Sequence, residues 1–344
     1  MDAAKPVVAL TLGDPAGIGA ELVARLLARP ETTRTANVVL VGDPWLWQDG
    51  QTIAGTALQL DPVATLAAVR DRADTSRAAF LAVDTVQPAQ VHRGQAEAAG
   101  GASVLQVLNR CMDAAQFGAI DAITFAPLNK FAMKQGGLKH EDELHHFAQY
   151  LGVTGYFCEF NTLGGLWTAR ISSHVPLKDV ARYIDKQRIV DATTLIYRSL
   201  QASGNAAPRV AVAGFNPHNG DGGTCGREEI DVIAPAVAEL NALGMPVVGP
   251  FPADTIFLRA RDGELDAIVT MYHDQGQIAI KLLGFSQGVT VQGGLPIPIT
   301  TPAHGTAYDI AGLGKADVDA TANAFAIACR MGRARLNSPR KSLA

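Results

Sequence analysis

The chain has 344 residues, of which 48% are hydrophobic and 18% are charged, and its formal net charge is −4. This length suits about two globular domains. The weak negative charge argues against a nucleic-acid partner or an anionic membrane surface, and no apolar run reaches the ~18 residues of a membrane span. The N-terminus lacks a cleavable signal pattern and the four cysteines lie far apart, so we expect reduced thiols and a cytoplasmic location.

Short apolar runs alternate with helical patterns along the chain. The runs that read as buried strands are residues 6–12, 37–43, 78–84, 122–127, 210–215 and 265–271. The segments with helical spacing are residues 20–29, 103–116, 228–243 and 316–331. This alternation predicts an α/β protein with a mainly parallel sheet.

Proline and glycine clusters near residues 126–140 and 295–303 mark two candidate boundaries. We therefore expect a discontinuous first α/β domain of residues 1–127 and 301–344, and a second α/β domain of residues 128–300.

Three histidines lie just beyond predicted strands: His174 after WTARISS, His218 after VAVAGF and His273 after LDAIVTM. Ligands bind at the carboxyl ends of strands in open α/β sheets. Imidazole is the commonest metal ligand, so three of them at one edge could hold a divalent cation and leave positions open for substrate. A single histidine is more often structural. Three histidines at equivalent positions favour a shared site and three unrelated positions about equally.

Three other features near that edge each have a functional and an ordinary interpretation. The segment GDPAGIG, residues 13–19, could bind an anion through its backbone N–H groups, but it equally suits a tight strand-to-helix turn. Asp254, in PADTIF, is a candidate site residue or a helix N-cap. Lys281 could carry protons or hold an anion, or lie solvated on a helix face.

The segment HGTAYDIAG, residues 304–312, places Asp309 near a predicted helix start. A carboxylate there could accept hydrogen bonds from both ribose hydroxyls of an adenine nucleotide and would repel a 2′-phosphate. Its ordinary role would be to cap that helix.

The segment KHEDELHHF, residues 139–147, is the richest in charge. It spaces Glu141 from His145, and Asp142 from His146, by four residues, so on a helix each pair could ligate a metal. A solvated helix face is the more frequent explanation of such a segment.

Seven motifs occur in this order: GDPAGIG, APLNK, SSHVPL, FNPHNGDGG, PADTIF, MYHDQG and HGTAYDIAG. From about residue 6 to about residue 332, the chain thereby resembles the 4-hydroxythreonine-4-phosphate dehydrogenase family of pyridoxal-phosphate biosynthesis. The resemblance implies a two-domain fold similar to isocitrate and isopropylmalate dehydrogenases, with a cleft between the domains. It also implies a homodimer with shared active sites. The adenine-binding loop would lie on the first domain, and the metal and dimer contacts on the second.

The resemblance implies that NAD oxidises a secondary alcohol of a hydroxy acid and that the 3-oxo acid then loses carbon dioxide. One divalent metal ion would serve each active site, and zinc, cobalt, nickel, manganese and magnesium all suit the ligand types. The residues that the resemblance assigns are the metal ligands His174, His218 and His273, the catalytic residues Asp254 and Lys281, and the NAD contacts His304, Gly305, Thr306 and Asp309.

The chain departs from the family where the substrate phosphate is held. The family's Gly-His-Thr-Glu segment is replaced by residues 142–145, DELH, and its substrate-binding asparagine and arginine fall on Thr290 and Ile299. Glu143 would repel a phosphate and Ile299 offers it no hydrogen bond. We therefore expect a paralogue with a changed substrate, with Glu143, His145 and Thr290 as candidate substrate contacts.

Three alternatives remain open at this point. The first is true 4-hydroxythreonine-4-phosphate activity with a rebuilt phosphate site, for which Lys130, Lys134 or Lys139 could supply charge. The second is oxidation of a cis-dihydrodiol carboxylate, as some members of the family perform. The third is a non-catalytic metal- or ligand-binding relative, against which the retention of His174, His218, His273, Asp254 and Lys281 argues.

Overall fold

The computed structural model of this protein describes residues 4–284 and 287–337. The chain folds into two compact units, the first drawing on residues 1–154 and 295–344 and the second on residues 155–294. The predicted domain boundaries differ from the bounds of these units. Residues 128–154 and 295–300 are predicted for the second domain but pack with the first unit.

The bounds of the regular elements are as follows. The strands are β1 (Val7–Thr11), β2 (Asn37–Gly42), β3 (Asp61–Pro62), β4 (Ala79–Ala82), β5 (Ala122–Phe125), β6 (Cys158–Leu163), β7 (Leu166–Arg170), β8 (Val210–Ala213), β9 (Val247–Phe251), β10 (Ala267–Thr270), β11 (Val289–Gly293) and β12 (Ile299–Pro302). The helices are α1 (Gly19–Leu27), α2 (Pro30–Thr35), α3 (Pro44–Ala54), α4 (Ala98–Gln116), α5 (Lys130–Gln135), α6 (Glu143–Tyr150), α7 (Lys186–Ala202), α8 (Ala234–Ala242), α9 (Ile256–Arg261), α10 (His273–Leu283) and α11 (Asp319–Asn337).

The first unit is built on a parallel sheet with strand order β3-β4-β2-β1-β5-β12. Every residue of β1 and β2 is buried. Such continuous apolar runs are typical of parallel strands, which are covered on both faces. Helix α4 packs with this sheet in one large core cluster that contains Leu108, Met112 and Phe125.

Residues 128–154 belong to the first unit because α5 lies directly against α4. A Cβ atom at Gly101 would lie 1.9 Å from the Ala132 carbonyl oxygen, and one at Gly136 would lie 2.3 Å from the Ala102 nitrogen. Glycine at both positions therefore lets the two backbones touch. Phe147 of α6 is fully buried in the same core cluster.

The second unit has strand order β11-β6-β7-β10-β8-β9. β7, β10, β8 and β9 run parallel to one another, whereas β6 runs antiparallel to both β11 and β7. The expected α/β class with mainly parallel strands is therefore confirmed. Because β7, β10 and β8 are parallel neighbours, their carboxyl ends lie along one edge of the sheet.

Two predicted helices differ from the structure. The segment 228–243 begins with a π-helical turn, Glu229–Ile233, before α8 starts. The segment 304–312 starts no helix and contains only a 3₁₀ turn, Tyr308–Ile310, which follows Ala307 in a left-handed conformation. Asp309 lies in that turn, so the expectation of a helix start at this residue is wrong.

None of the helices within residues 4–284 and 287–337 combines the length and the apolar character needed to cross a bilayer. All four cysteines, Cys111, Cys158, Cys225 and Cys329, are free thiols.

Candidate active site

Three strand ends of the second unit carry the predicted metal ligands. His174 follows β7, His218 follows β8, and His273 is the first residue of α10, directly after β10. β10 lies between β7 and β8 in the sheet. The parallel arrangement therefore brings the three histidine-bearing segments to the same edge.

His174 and His273 form a close pair, with ring centroids 6.2 Å apart. His273 Nδ1 lies 2.7 Å from Asp274 Oδ1. A carboxylate at that distance favours the Nδ1–H tautomer and leaves Nε2 as the nitrogen with a lone pair, an arrangement common among metal-bound histidines. The chemistry of this pair fits a divalent cation.

The three histidines do not form one tight cluster within one chain. Among the described residues, the ring nitrogens of His174, His218 and His273 do not all lie within 4.8 Å of one another. Within one protomer the three predicted ligands therefore lie at the same edge of the sheet without forming a compact three-histidine cluster.

The loop that carries His218 has a rare backbone. Six consecutive residues, 218–223, have positive φ values, and three of them, His218, Asn219 and Asp221, are not glycine. Each non-glycine residue in this left-handed region costs roughly 1–2 kcal/mol. Since strain of this kind persists only when surrounding contacts fix it, the loop needs an anchor.

Glu229 provides that anchor from the π-helical turn. Its buried carboxylate accepts hydrogen bonds from the N–H groups of Phe215 and Asn216, both at 2.7 Å, and from Asn216 Nδ2 at 2.9 Å. Burial opposes its ionisation, but these donors outweigh it and lower the pKa of Glu229. Gly220 lies so close that a Cβ atom there would approach Glu229 Oε2 to 2.7 Å.

Gln275 gives the segment MYHDQG a further role. Its Oε1 accepts a hydrogen bond from the Met271 N–H at 2.7 Å, and its Nε2 donates to the Gly214 carbonyl at 2.8 Å. Gly214 follows β8 directly. Gln275 therefore ties the start of α10, which carries His273, to the segment that leads into the His218 loop.

The two predicted catalytic residues are both exposed in the second unit. Asp254 lies in the turn before α9, whose N-cap is Thr255, so the N-cap explanation for Asp254 is wrong. Lys281 lies on α10, the helix that begins at His273. Thr290, predicted as a substrate contact, is on β11 and accepts a hydrogen bond from Asn161 Nδ2 at 3.3 Å.

The predicted cofactor segment lies in the first unit beside the GDPAGIG loop. The Thr306 carbonyl accepts a hydrogen bond from the Ile18 N–H at 3.1 Å, and a Cβ atom at Gly17 would lie 2.9 Å from the same oxygen. Asp309 and Gly305 are exposed. His304 Nε2 is buried and has no hydrogen-bond partner among the described residues, which fits a nitrogen that awaits a ligand.

Asp14 connects these two segments. Its carboxylate is buried and accepts hydrogen bonds from Tyr308 Oη at 2.7 Å and from the Ala16 N–H at 2.9 Å. Burial raises the pKa of Asp14 despite these two donors. Tyr308 precedes Asp309 directly, so Asp14 holds the predicted cofactor segment in place.

The structure forms only one of the two pairs that the spacing of residues 139–147 predicted, Glu141 with His145, whose Oε2 and Nε2 atoms lie 3.9 Å apart. Helix α6 starts at Glu143, and Asp142 is its N-cap, with Oδ1 accepting from the His145 N–H at 3.0 Å. Asp142 also contacts His145 Nδ1 at 2.7 Å. His146 Nε2 instead lies 2.7 Å from Asn109 Oδ1. The predicted pair of Asp142 with His146 is therefore wrong, because the helix begins one residue after Asp142.

Glu143, predicted as a substrate contact, is buried at the first position of α6. Its Oε2 lies 3.6 Å from Lys130 Nζ. Burial opposes ionisation of the neighbouring Asp142, but its hydrogen bonds with His145 outweigh that effect and lower the pKa of Asp142. Both carboxylates thus have partners within the first unit.

Sequence reasoning missed four residues that organise these loops. They are Asp14, Arg170, Glu229 and Gln275. Arg170 did leave a signal, because it is a charged residue inside the otherwise apolar run that forms β7. Glu229 left none, since its partners lie in a loop whose backbone could not be foreseen.

Comparison with known proteins identifies the family. Residues 34–328 match the family described as pyridoxal phosphate biosynthetic protein PdxA. A curated protein of Pseudomonas aeruginosa, named putative 4-hydroxythreonine-4-phosphate dehydrogenase 2, is 51% identical over 333 residues, which cover 95% of this chain and 97% of that protein. The chain therefore belongs to the PdxA family.

Solved structures agree with this assignment. The crystal structure of 4-hydroxythreonine-4-phosphate dehydrogenase from Klebsiella pneumoniae is similar with a TM-score of 0.83 and 33% identity, and the match covers 97% of this chain and all of that one. A terephthalate 1,2-cis-dihydrodiol dehydrogenase from Burkholderia xenovorans is similar with a TM-score of 0.65 and 28% identity, over 91% of this chain and 94% of that one. The chain is an oxidoreductase acting on a CH–OH group, and its family implies a nicotinamide cofactor and a divalent metal.

Proposed function

We propose that this protein is an NAD- and divalent-metal-dependent dehydrogenase. It oxidises a secondary alcohol of a hydroxy acid to a 3-oxo acid, which then loses carbon dioxide. The observation that carries the proposal is the pair of His174 and His273, 6.2 Å apart between ring centroids, with Asp274 orienting the second ring.

The proposed metal ligands are His174, His218 and His273. When bound, the divalent cation supplies a Lewis acid that lowers the pKa of the substrate alcohol, and NAD supplies the hydride acceptor. Asp274 keeps His273 in the tautomer that can coordinate. Lys281, on the same helix, delivers or accepts the proton, and Asp254 contacts the substrate.

The third ligand is supplied across a homodimer interface. Support comes from the three histidines of one protomer, whose ring nitrogens do not all lie within 4.8 Å of one another. Support also comes from α10, where Ile278 and Leu282 are 60% and 83% exposed. Apolar side chains one helical turn apart on an exposed face are typical of a protein–protein contact.

Subunit mixing tests this arrangement. In a heterodimer of His174→Ala with His218→Ala, shared sites leave one site with both mutations and one site with none. We expect about half of the wild-type activity from that species, whereas each homodimeric variant is inactive. If all three ligands came from one chain, both sites of the heterodimer would be damaged and no activity would return.

NAD binds through His304, Gly305, Thr306 and Asp309. The buried Nε2 of His304 offers a polar contact to the cofactor. The exposed carboxylate of Asp309 accepts the ribose hydroxyls and disfavours the 2′-phosphate of NADP. The hydrogen bond from Tyr308 to Asp14 stabilises this segment.

The substrate differs from the family's phosphorylated one. Asp142 and Glu143 stand where the resemblance places the family's phosphate-binding segment. Asp142 contacts His145 and Glu143 contacts Lys130 instead. Ile299 is fully buried in β12 and adds nothing polar. We infer an unphosphorylated hydroxy acid or a cis-dihydrodiol carboxylate, with Glu143, His145 and Thr290 as contacts. The name of the similar Burkholderia xenovorans enzyme supports the dihydrodiol class.

A second candidate is 4-hydroxythreonine-4-phosphate itself, favoured by the name of the 51%-identical relative. Lys130, close to Glu143, would then contribute to a rebuilt phosphate site. The test is NADH formation from 4-phosphohydroxy-threonine, with and without added divalent metal, beside a panel of unphosphorylated hydroxy acids and dihydrodiols. Turnover only in the panel supports a changed substrate, and turnover of the phosphorylated compound supports the rebuilt site.

Metal-independent turnover would contradict the role of the histidines. The role of Lys281 has its own test, since Lys281→Ala should lower kcat and leave metal affinity unchanged. An unchanged kcat would remove Lys281 from the proton-transfer step.

A further inference from the structure

Arg170 is a charged residue that is buried at the end of an apolar strand in the second unit. It is the last residue of the apolar strand β7, and its side chain is only 8% exposed. Its guanidinium donates to three separate groups: Nε to Ser173 Oγ at 2.8 Å, Nη1 to Asn161 Oδ1 at 2.6 Å and Nη2 to Glu159 Oε2 at 2.9 Å. One side chain thus joins its own strand end to β6.

Two of these bonds lead to the histidine pair. Ser173 directly precedes His174, so the bond from Arg170 fixes the backbone next to that histidine. Asn161 Oδ1 accepts a second hydrogen bond, from Gln277 Nε2. Gln277 lies one turn into α10, whose first residue is His273. The guanidinium therefore acts on the His174 segment directly and on the His273 helix through Asn161.

The sheet register places Arg170, on the strand that leads to His174, beside the strand that leads to His273. Arg170 on β7 lies directly opposite Thr270, the last residue of β10. The pairing continues beyond the strands, because the N–H groups of Ile171 and Ser172 donate to the carbonyls of Thr270 and Met271. The backbone hydrogen bonds that join the two histidine-bearing segments therefore lie directly beside the Arg170 network.

Arginine suits this position for a geometric reason. A buried guanidinium is costly to desolvate, and its ion pair with Glu159 is weak evidence for stability because a well-packed apolar pair is often as stable. Its planar fork can meet three acceptors in fixed directions, whereas lysine presents a single point charge. The network therefore contributes chiefly to position.

We propose that Arg170 is a positioning residue that sets the spacing of His174 and His273 and thereby the affinity of the site for a divalent cation. The inference rests on the proposed function, in which these histidines hold the metal. Residues that orient metal ligands from outside the coordination shell typically change metal affinity about 10–100-fold when mutated.

The experiment is a titration of the metal-free full-length protein with Co²⁺ alone, followed by visible absorption, which reports both affinity and coordination geometry. We expect Arg170→Lys to raise the Kd for Co²⁺ about 10-fold or more and to alter the absorption bands. Ser173→Ala removes one acceptor without burying a charge, so it should raise the Kd by a smaller factor. It also keeps the test valid if Arg170→Lys does not fold.

The matched control is Arg209→Lys. Arg209 pairs with Asp266 through two hydrogen bonds, at 3.0 and 2.7 Å, before the start of β8 and β10 at the opposite edge of the same sheet. It should leave the Kd and the spectrum unchanged. Wild-type Kd and spectrum in both Arg170→Lys and Ser173→Ala would overturn the inference and leave the proposed function intact. Absence of Co²⁺ binding by the wild-type protein would overturn the proposed metal site, and the inference with it.

Discussion

The strained loop that carries His218 should depend on one carboxylate, that of Glu229. Glu229→Gln keeps the size of the side chain, and its amide oxygen can still accept from the N–H groups of Phe215 and Asn216. The new amide nitrogen would then lie 2.9 Å from Asn216 Nδ2, where the wild type has an acceptor. The substitution therefore replaces a charge-assisted hydrogen bond with two opposed donors.

The size of the effect follows from these contacts. A hydrogen bond to a charged group contributes about 1.5–3 kcal/mol, while His218, Asn219 and Asp221 together store roughly 3–6 kcal/mol of left-handed strain. We expect the free energy of opening of this loop to fall by roughly 2 kcal/mol. This corresponds to about 30-fold faster amide hydrogen exchange.

Hydrogen exchange with mass spectrometry measures this directly, because the N–H groups of Phe215 and Asn216 are bound to the carboxylate. Asp231→Asn is the matched control, since Asp231 lies in the same π-helical turn but pairs with Arg227 at the exposed surface. It should leave exchange at residues 214–226 unchanged. Wild-type exchange rates in Glu229→Gln would refute the idea that this carboxylate holds the loop.

The lowered pKa of Glu229 gives an independent check on how its contribution to stability changes with pH. Since its pKa is lowered in the folded protein, the stability it contributes is present above the ordinary pKa of a glutamate, 4.5, and is lost as the pH falls through the lowered value. The stability difference between wild type and Glu229→Gln should therefore shrink on acidification. A difference that stays constant between neutral and acidic pH would contradict the assignment.

Three further predictions test other parts of the chain. Burial raises the pKa of Asp14, so folding favours the neutral carboxyl group, and this contribution to stability is lost as the pH rises through the raised pKa. The thermal stability of Asp14→Asn relative to wild type should therefore increase from about pH 4 to pH 7. A difference in Tm that stays constant over this range would contradict the prediction. The side-chain amide of Gln292 is buried without a hydrogen-bond partner among the described residues, so Gln292→Met should raise the free energy of unfolding, measured by chemical denaturation, by about 1 kcal/mol. A lower free energy of unfolding would contradict this. Asp309→Ala should raise KM for NAD and reduce the preference over NADP, and unchanged values would remove Asp309 from the cofactor site.

The sequence predicted the parts of the fold that depend on local pattern. The buried strands β1, β2, β8 and β10 are confirmed, since each is a continuous apolar run with a turn signal behind it. The runs of β8 and β10, together with WTARISS, which contains the end of β7, placed His218, His273 and His174 at strand ends, and the carboxyl ends of these parallel strands share one edge. Whether the three ligate one metal stays a prediction.

The parts that escaped prediction depend on partners distant in sequence. The left-handed backbone of residues 218–223 needs Glu229, and the order of the segment around Asp309 needs Asp14, almost 300 residues earlier. By contrast, Asp142 is a preferred N-cap residue, and its role at the start of α6 could have been read from the sequence.

The environment of Glu143 also limits how the substrate site could have changed. Asp142 caps α6 and Glu143 contacts Lys130, so both carboxylates now contribute to local structure. Glu143→His would reintroduce a phosphate-binding side chain, but it would also place a second cationic group beside Lys130 whenever the imidazole is protonated. We expect this single substitution to cost stability and to leave turnover of 4-phosphohydroxy-threonine unchanged, while Glu143→His combined with Lys130→Gln recovers the stability. A single substitution that raised phosphorylated-substrate turnover tenfold or more would mean that Glu143 alone excludes the phosphate, and that the rest of the phosphate site is still present.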